Sequence, residues 1–469
     1  MKKSQGLLKT PFKYSKIGAV KKENMLKRKI EKQFKEWKSS KSRNPLIVKG
    51  CRQCGKTYSV LNFAKANYKS VVYVNFFENP LYASAFDQVL SVDEIIMYLT
   101  ALLGGQAIFE PYETCLILDE IQECPKARAA LKFFKIDGRF DLICTGSLLG
   151  ISGYKELPTS IPVGYETVIT MFPLDFEEFL WANGIPSNLI EKLQICITTI
   201  SKVPDVLHHR LKELLLQYVV VGGMPAVVNE FTNSKMMNKV LQMQRDIVNG
   251  YRDDMMKYAT PSDKSKIREC FDSIPKQLGK ENKKFQYSII RKKGTAAMFA
   301  GALQWIEDAG IIKRCYNLSI TELPLEGNAI DNVFKVYMAD IGLFVCMLED
   351  GTAFDILRGS LLGYKGAIYE NLVADFLTKS GRKLYYFHKD SGLEIDFVIR
   401  RNGKCVLLEC KASSGNVKST KTILNHPEKY HVYDAIKLGD YNVGLANNIL
   451  TLPLYMGFLL GNDNENVKI

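Results

Sequence analysis

The stretch VKGCRQCGKTYSV, Val48 to Val60, constrains this chain more than any other. It contains Gly50-x4-Gly55-Lys56-Thr57. The apolar run Pro45-Leu46-Ile47-Val48 precedes it, and Val60, Phe63 and Ala64 follow on one helical face. A buried strand, a glycine-rich loop and a helix in that order are the context of a phosphate-binding loop. The glycines let backbone N–H groups from Gly50, Cys51, Arg52, Gln53, Cys54 and Gly55 close around phosphate oxygens at the helix N-terminus. Lys56 reaches the terminal phosphates, and the Thr57 hydroxyl ligates Mg²⁺. Cys51 and Cys54 also form a C-x-x-C, but a zinc site needs two more ligands at close spacing. No second C-x-x-C exists, and the nearest histidine pair is His208-His209. The expected ligand is therefore ATP with Mg²⁺, and the cysteines occupy variable positions of the loop.

The partners of such a loop follow in order. Val71–Phe76 reads as a second strand. CLILDEIQ then runs four apolar residues, Cys115 to Leu118, into Asp119-Glu120. Asp119 is placed to hold the Mg²⁺ water shell and Glu120 to orient or deprotonate the attacking water. FDLICTGS ends in Thr145-Gly146-Ser147, where a hydroxyl either senses the γ-phosphate or closes a local turn. YETVITMFPLDFEEFL supplies a fifth strand stopped by Pro173, then an acidic helix starting near Asp175.

Gly50–Thr57, LILDEIQ, CTGSLLG, PLDFEEFL and the later GGMPAVV together resemble prokaryotic AAA-type ATPases that carry a C-terminal nuclease-like domain of unknown function. The resemblance spans nearly the whole chain and implies an ATP-binding core with a helical region after it. An arginine finger or sensor arginine is not identified. Arg128, Arg139, Arg245 and Arg252 are the candidates, each better suited, taken singly, to a surface ion pair.

Composition fits a globular chain of about three domains, with 46% apolar and 24% charged residues among 469. No long uncharged apolar run marks a membrane span, and the start lacks the apolar core of a signal peptide. Eleven scattered cysteines then read as free thiols in a reducing cytoplasm. Residues 1–50 hold 16 Lys and Arg against 3 Glu, whereas the rest is balanced at 47 against 47. That excess is either a solvated arm running into a helix striped by Leu26, Ile30, Phe34 and Trp37, or a nucleic-acid contact. From Pro186 to Tyr258 the apolar spacing is helical, and Gly222 to Val228 reads as an elbow or a simple turn. Residues 262–348 read as two helices followed by an extended pair, a winged-helix-like unit. Lys276, Lys280, Lys283, Lys284, Arg291, Lys292 and Lys293 gather around its second helix, which makes DNA a candidate partner.

The second chemical signal is GLEIDFVIRRNGKCVLLECKAS, Gly392 to Ser413. Two strand-like runs flank Asn402-Gly403, the strongest short-range signal of a two-residue hairpin turn. That turn puts Arg401 opposite Lys404, Asp396 opposite Glu409 and Glu394 opposite Lys411. Two carboxylates about 5 Å apart repel by roughly 3 kcal/mol at an effective dielectric near 20. A Mg²⁺ or Mn²⁺ ion between Asp396 and Glu409 reverses the sign, with Lys411 beside it as a catalytic lysine. The pattern D…E-x-K resembles the PD-(D/E)xK nuclease core. That resemblance adds an acidic residue on a preceding helix, which GYKGAIYENLVADFL supplies as Glu370.

The expected fold is thus α/β: a basic N-terminal arm and helix (1–44), a parallel-sheet AAA-type core (45–183), a helical region (184–260), a winged-helix-like domain (261–348) and an α/β PD-(D/E)xK-like domain (349–469). Three functions fit this organisation. ATP turnover gates a metal-dependent nuclease, or it switches a DNA-binding protein whose nuclease-like domain is silent, or it drives a chaperone-like ATPase. ATP, nucleic acid and further copies of the chain are the expected partners, and no membrane is.

Overall fold

The computed structural model describes residues 26–87, 91–147, 164–259, 261–280, 283–360, 363–411 and 417–461. The basic stretch before residue 26 lies outside them. Five strands, β1 (Leu46–Lys49), β2 (Ser70–Asn75), β3 (Thr114–Asp119), β4 (Asp141–Gly146) and β5 (Thr167–Thr170), form one sheet in the order β2-β3-β4-β1-β5. Every neighbouring pair is parallel, so the sheet needs cover on both faces. Successive residues of β3 supply that cover in turn. Leu116 and Leu118 pack with the helices Val92–Leu103 and Pro125–Asp137. Cys115 and Ile117 pack with the helix Lys56–Asn67 and with Ile30, Phe34 and Trp37 of the N-terminal helix Ile30–Ser39. Three residues of the expected stripe, Ile30, Phe34 and Trp37, therefore fix that helix beneath the sheet, whereas Leu26 precedes the helix and packs against another core. Chain order reverses around β1, and ligand sites of open α/β sheets lie at the carboxyl ends of strands beside such a reversal.

After β5 a capping box closes the helix Phe176–Ala182. Asp175 accepts from the Glu178 N–H, and Glu178 accepts from the Asp175 N–H. Four helices follow, Ser187–Thr198, Asp205–Val221, Pro225–Ser234 and Met237–Tyr258. The Gly222-Gly223 elbow between the second and third is a point of backbone contact. Leu174 N–H donates to Gly223 O at 2.7 Å, Gly223 N–H donates to Asp340 Oδ2 at 2.7 Å, and a Cβ on Gly223 would lie 2.0 Å from Leu174 O. Backbone cannot yield as a side chain can. Gly223→Ala is expected to cost about 2–3 kcal/mol, visible as a lowered thermal midpoint with the strand content retained.

The helices Lys264–Leu278, Tyr287–Ile290 and Ala296–Asp308 then lead into the antiparallel pair β6 (Ile312–Leu318) and β7 (Ala329–Met338). That pair is not a free wing, however. β6 also pairs in parallel with β8 (Leu384–His388), and β8 pairs with β9 (Glu394–Ile395), giving a sheet β7-β6-β8-β9 that crosses the expected boundary near residue 349. The third sheet holds β10 (Phe397–Arg401), β11 (Lys404–Cys410), β12 (Asp434–Gly439), β13 (Gly444–Ala446) and β14 (Ile449–Pro453), in the order β10-β11-β12-β14-β13. One apolar core runs from Leu174 to Leu460 through most of these segments, and a second, holding Leu318, Phe387, Ile395, Val398, Leu407 and Ala435, lies among the strands of the second and third sheets. Among the described residues no helix is long and apolar enough to cross a membrane.

Candidate functional site

Two constellations stand out. The first lies at the carboxyl end of the parallel sheet. Gly55 caps the helix Lys56–Asn67 with φ +95°, and no side chain caps that N-terminus, which leaves its first N–H groups directed into the loop. Gly50 is required by space, because a Cβ there would lie 2.1 Å from Met171 O at the end of β5. Lys56 is buried, and its ammonium donates to Gly50 O at 3.0 Å and Cys51 O at 2.8 Å.

Thr57 and Asp119, 62 residues apart in the chain, meet: the Thr57 hydroxyl donates to the carboxylate at 3.0 and 3.2 Å. Thr145 donates its hydroxyl to Asp119 Oδ1, so it is engaged with the carboxylate rather than with a local turn. Ser147 lies just past β4, half-buried. Glu120 adopts the left-handed conformation at φ +53°, which L residues seldom take, and Gln122 donates to its carboxylate at 2.5 Å. Burial raises the Glu120 carboxyl above the ordinary range.

The loop is also held from outside. Arg28, buried, donates to Cys54 O at 3.1 Å and Phe172 O at 2.6 Å and pairs with Glu178 at 3.2 Å. On another side Tyr251 donates to Arg52 O at 3.1 Å, Arg52 pairs with Asp254, and Gly310, at φ +75°, packs so closely on Cys51 that a Cβ there would lie 3.3 Å from its N–H nitrogen. The helix Met237–Tyr258 and the turn before β6 thus touch the phosphate-binding loop directly.

All eleven cysteines are free thiols. Cys51 and Cys54 are buried close to one another, Cys54 Sγ donates to Met171 O at 3.4 Å, and the mutual influence of the two thiols lowers that of Cys54 and raises that of Cys51. The four candidate arginines all sit in ion pairs: Arg128 with Glu166, Arg139 with Asp93 and Asp137, Arg245 with Asp350, and Arg252 with Asp272. Tyr73 and Asn75, which donate to Asp119 Oδ2 at 2.7 and 3.4 Å, escaped the sequence reading because both look like ordinary strand residues in SVVYVN.

The second constellation is at the C-terminal hairpin. The turn at Asn402-Gly403 and its register are as expected from Arg401↔Lys404 to Phe397↔Leu408. Beyond that the expected ladder fails. The chain changes sheets at Asp396, so Glu394 lies opposite His388 of β8 instead of Lys411, and Asp396 does not face Glu409 across a ladder. Strands β9 and β10 belong to different sheets, and the one residue between them is released from pairing with β11.

Asp396 nevertheless stays close, accepting from the Cys410 N–H at 2.7 Å. Burial, with the charges of Glu370 and Glu409, pushes its carboxyl up to about 7. Glu409 is buried, accepting from Thr420 at 2.7 Å and paired with Lys411 at 2.7 Å. Glu370, on the helix Lys365–Lys379, is buried as well. Burial works to raise it, but Lys335 and Lys283 hold it below the ordinary range. Tyr337 donates to its Oε2 at 3.1 Å, Lys335 stands 3.7 Å from that oxygen, and Lys283 contacts Oε1.

The sequence reading missed Lys335 and Tyr337 and gave Lys283 only a surface role. Lys335 is 1% exposed, pairs with Glu394 at 2.9 Å and lies 4.9 Å from the Tyr386 ring. A lysine inside the apolar run VFKVYM was the available signal. Among the described residues, no group of three or more His, Cys, Asp or Glu is arranged to hold a metal ion.

Family models match the chain in three places. Residues 42–180 match an AAA domain, and residues 212–353 and 365–455 match two domains of unknown function, DUF8612 and DUF4143. No curated protein matches it. Solved structures similar to it include the Walker-type ATPase PABY2304 of Pyrococcus abyssi, at 13% identity over 70% of this chain and 97% of that one, with a TM-score of 0.40. The ORC1 protein of Aeropyrum pernix in complex with DNA covers 70% of this chain and 91% of its own at 12% identity and a TM-score of 0.29. AMPPCP-bound DnaA from Aquifex aeolicus does so over 60% and 86% at 13% and 0.22. Residues 42–180 are thus an ATPase domain of the AAA, P-loop type.

Proposed function

We propose that this ATPase acts on nucleic acid and is coupled to a nuclease-like centre built from Glu370, Asp396, Glu409 and Lys411. The N-terminal loop suits ATP: its glycines keep the cradle open, the helix N-terminus is uncapped, and Lys56 lies where phosphates need a cation. Gly50 to Thr57 bind the phosphates in this reading. Thr57 and Asp119 position the Mg²⁺, Glu120 orients or deprotonates water, and Thr145 and Ser147 stand beside the terminal phosphate. Mg²⁺, when bound, supplies charge neutralisation to the phosphates. The contacts of Tyr251, Asp254 and Gly310 with the loop give the rest of the chain a direct mechanical link to it.

The C-terminal assignment is argued from the sequence pattern and from charge: Asp396 feels the charges of Glu370 and Glu409, and Glu409 pairs with Lys411, while among the described residues no three of these groups are arranged to hold an ion. Their oxygens are the donors a hard divalent ion takes. Glu370, Asp396 and Glu409 would hold such an ion, which supplies a Lewis acid, and Lys411 would face the phosphate. Exposed Lys276, Lys280, Lys284, Lys292 and Lys293 offer a basic surface to the backbone. One observation favours the second reading, a DNA-binding ATPase with a silent centre: lysines already pair with Glu370 and Glu409.

Incubating the full chain with linear DNA, ATP and Mn²⁺ separates these readings. Shortened DNA that is absent with Glu409→Gln supports the nuclease. DNA retained intact supports the silent centre, and neither binding nor cleavage removes nucleic acid from the proposal.

A further inference from the structure

The Cys51-x-x-Cys54 pair has no part in the chemistry proposed above, because the phosphate loop works through backbone N–H groups, Lys56 and Thr57. Its two thiols are nonetheless placed together. Gln53 between them is left-handed at φ +64°, which turns the chain back within the motif. Cys54 Sγ packs against the start of the loop, 3.1 Å from where a Cβ on Gly50 would lie. Cys51 is closed in by Gly310 and by Tyr251. Both cysteines are buried while Arg52 and Gln53 between them are exposed, so the motif lies at the surface with its sulfurs turned inward. Cys54 also stands just before Gly55, the N-cap of the helix Lys56–Asn67, where the peptide dipoles favour a thiolate. Cys51 beside it lowers the Cys54 thiol to about 6, and Lys56 and Arg28 act in the same direction against burial.

We propose that Cys51 and Cys54 form a reversible oxidation site: hydrogen peroxide converts the dithiol to a disulfide, and the bridged loop no longer takes nucleotide. The proposal rests on the phosphate-loop reading of Gly50 to Thr57. The Cys54 thiolate attacks one oxygen of the peroxide, the O–O bond breaks, and the leaving hydroxide takes up a proton and departs as water. The Cys51 sulfur then attacks the sulfur of the Cys54 sulfenic acid. The S–S bond forms, the S–O bond breaks, and the second oxygen leaves as water with the proton of Cys51. Two thiols are oxidised and one peroxide is reduced to two waters. A disulfide holds its sulfurs about 2 Å apart, closer than thiols approach unbonded, so Cys51 and Cys54 are drawn together across Arg52 and Gln53. The N–H groups of these four residues are the ones that close around phosphate oxygens, and turning them breaks the convergence that a phosphate needs. Lys56 is displaced with them, since its ammonium rests on the Cys51 carbonyl at 2.8 Å. Bound nucleotide acts the other way. Its phosphates fill the cradle and bring negative charge beside Cys54, so nucleotide and oxidation exclude one another.

Treating the full chain with hydrogen peroxide, blocking the remaining thiols with iodoacetamide and digesting with trypsin tests the bridge directly. Cleavage after Lys49, Arg52 and Lys56 releases residues 50–52 and 53–56 as two peptides that only a disulfide keeps joined. The joined pair is expected in the mass spectrum of the treated wild type, and ATP added first should slow its formation. Fluorescent-nucleotide titration should show affinity at least about tenfold weaker after peroxide, restored by dithiothreitol. Cys51→Ser and Cys54→Ser, each compared with itself before and after treatment, should not respond. Separate peptides after treatment overturn the site, and a bridge that leaves nucleotide affinity unchanged overturns the switch. A loss that dithiothreitol fails to reverse, or that both serine variants share, also overturns it, because the lesion is then a further oxidation or lies at another thiol. Equal rates of bridging with and without ATP would overturn the mutual exclusion. If the reduced wild type binds no ATP, the phosphate-loop reading itself is wrong, whether or not the bridge forms, and the switch goes with it.

Discussion

Lys56→Ala should weaken ATP binding by about a hundredfold or more, whereas Glu120→Gln should leave binding within a few-fold and lower turnover by roughly 10²–10⁴. The difference follows from what each side chain touches. The Lys56 ammonium is buried inside the loop, on the carbonyls of Gly50 and Cys51, and alanine removes that cation from the cradle. Glu120 lies outside the loop on a strained residue past β3, so the glutamine variant leaves Gly50, Lys56, Thr57 and Asp119 in place. Because burial raises the Glu120 carboxyl, turnover should also fall on the acid side through a value above the usual glutamate range. Fluorescent-nucleotide titration and phosphate release measure the two effects separately. Equal nucleotide affinity in wild type and Lys56→Ala would remove the phosphate-loop assignment.

What was legible in the sequence was whatever local chemistry decides. The strand–loop–helix at Gly50, the strand ending at Asp119 and the turn at Asn402-Gly403 all lie within short windows, where period and turn residues fix the outcome. The expectation failed at Asp396 because changing sheets is a tertiary event. Nothing in LEIDFVIRR signals that Glu394 pairs with β8 while Phe397 pairs with β11. The partners of Glu370 were illegible for the same reason, since Lys283 and Lys335 meet it only through the packing of segments far apart in the chain. The glycines at 222 and 223 read as an elbow, yet their purpose is contact with Leu174, Asp340 and Gly342, which no local pattern encodes.

Asp396→Asn should stabilise the metal-free protein above neutral pH by about 2 kcal/mol and at the same time abolish any stabilisation by Mn²⁺. In the fold the Asp396 carboxyl is pushed up to about 7, by burial first and then by Glu370 and Glu409. In the unfolded chain it titrates in the ordinary aspartate range. The fold therefore binds this proton more tightly than the unfolded chain, and stability falls as pH rises between those two values. The penalty is absent below the ordinary aspartate range and complete above about pH 7, so the gain from asparagine should be largest near pH 8 and shrink toward pH 4. The amide oxygen of asparagine can still accept from the Cys410 N–H, which keeps the crossover closed in the variant. A divalent ion acts in the opposite direction, because it needs the charged carboxylate that asparagine no longer supplies. Lys411→Ala keeps all three carboxylates and should retain the Mn²⁺-induced rise in melting temperature. Melts of wild type and both variants at pH 5 and 8, with and without Mn²⁺, measure all of this together. A Mn²⁺-induced shift that persists in Asp396→Asn would put the ion elsewhere, and the raised carboxyl would then be a cost of burial with no metal to offset it.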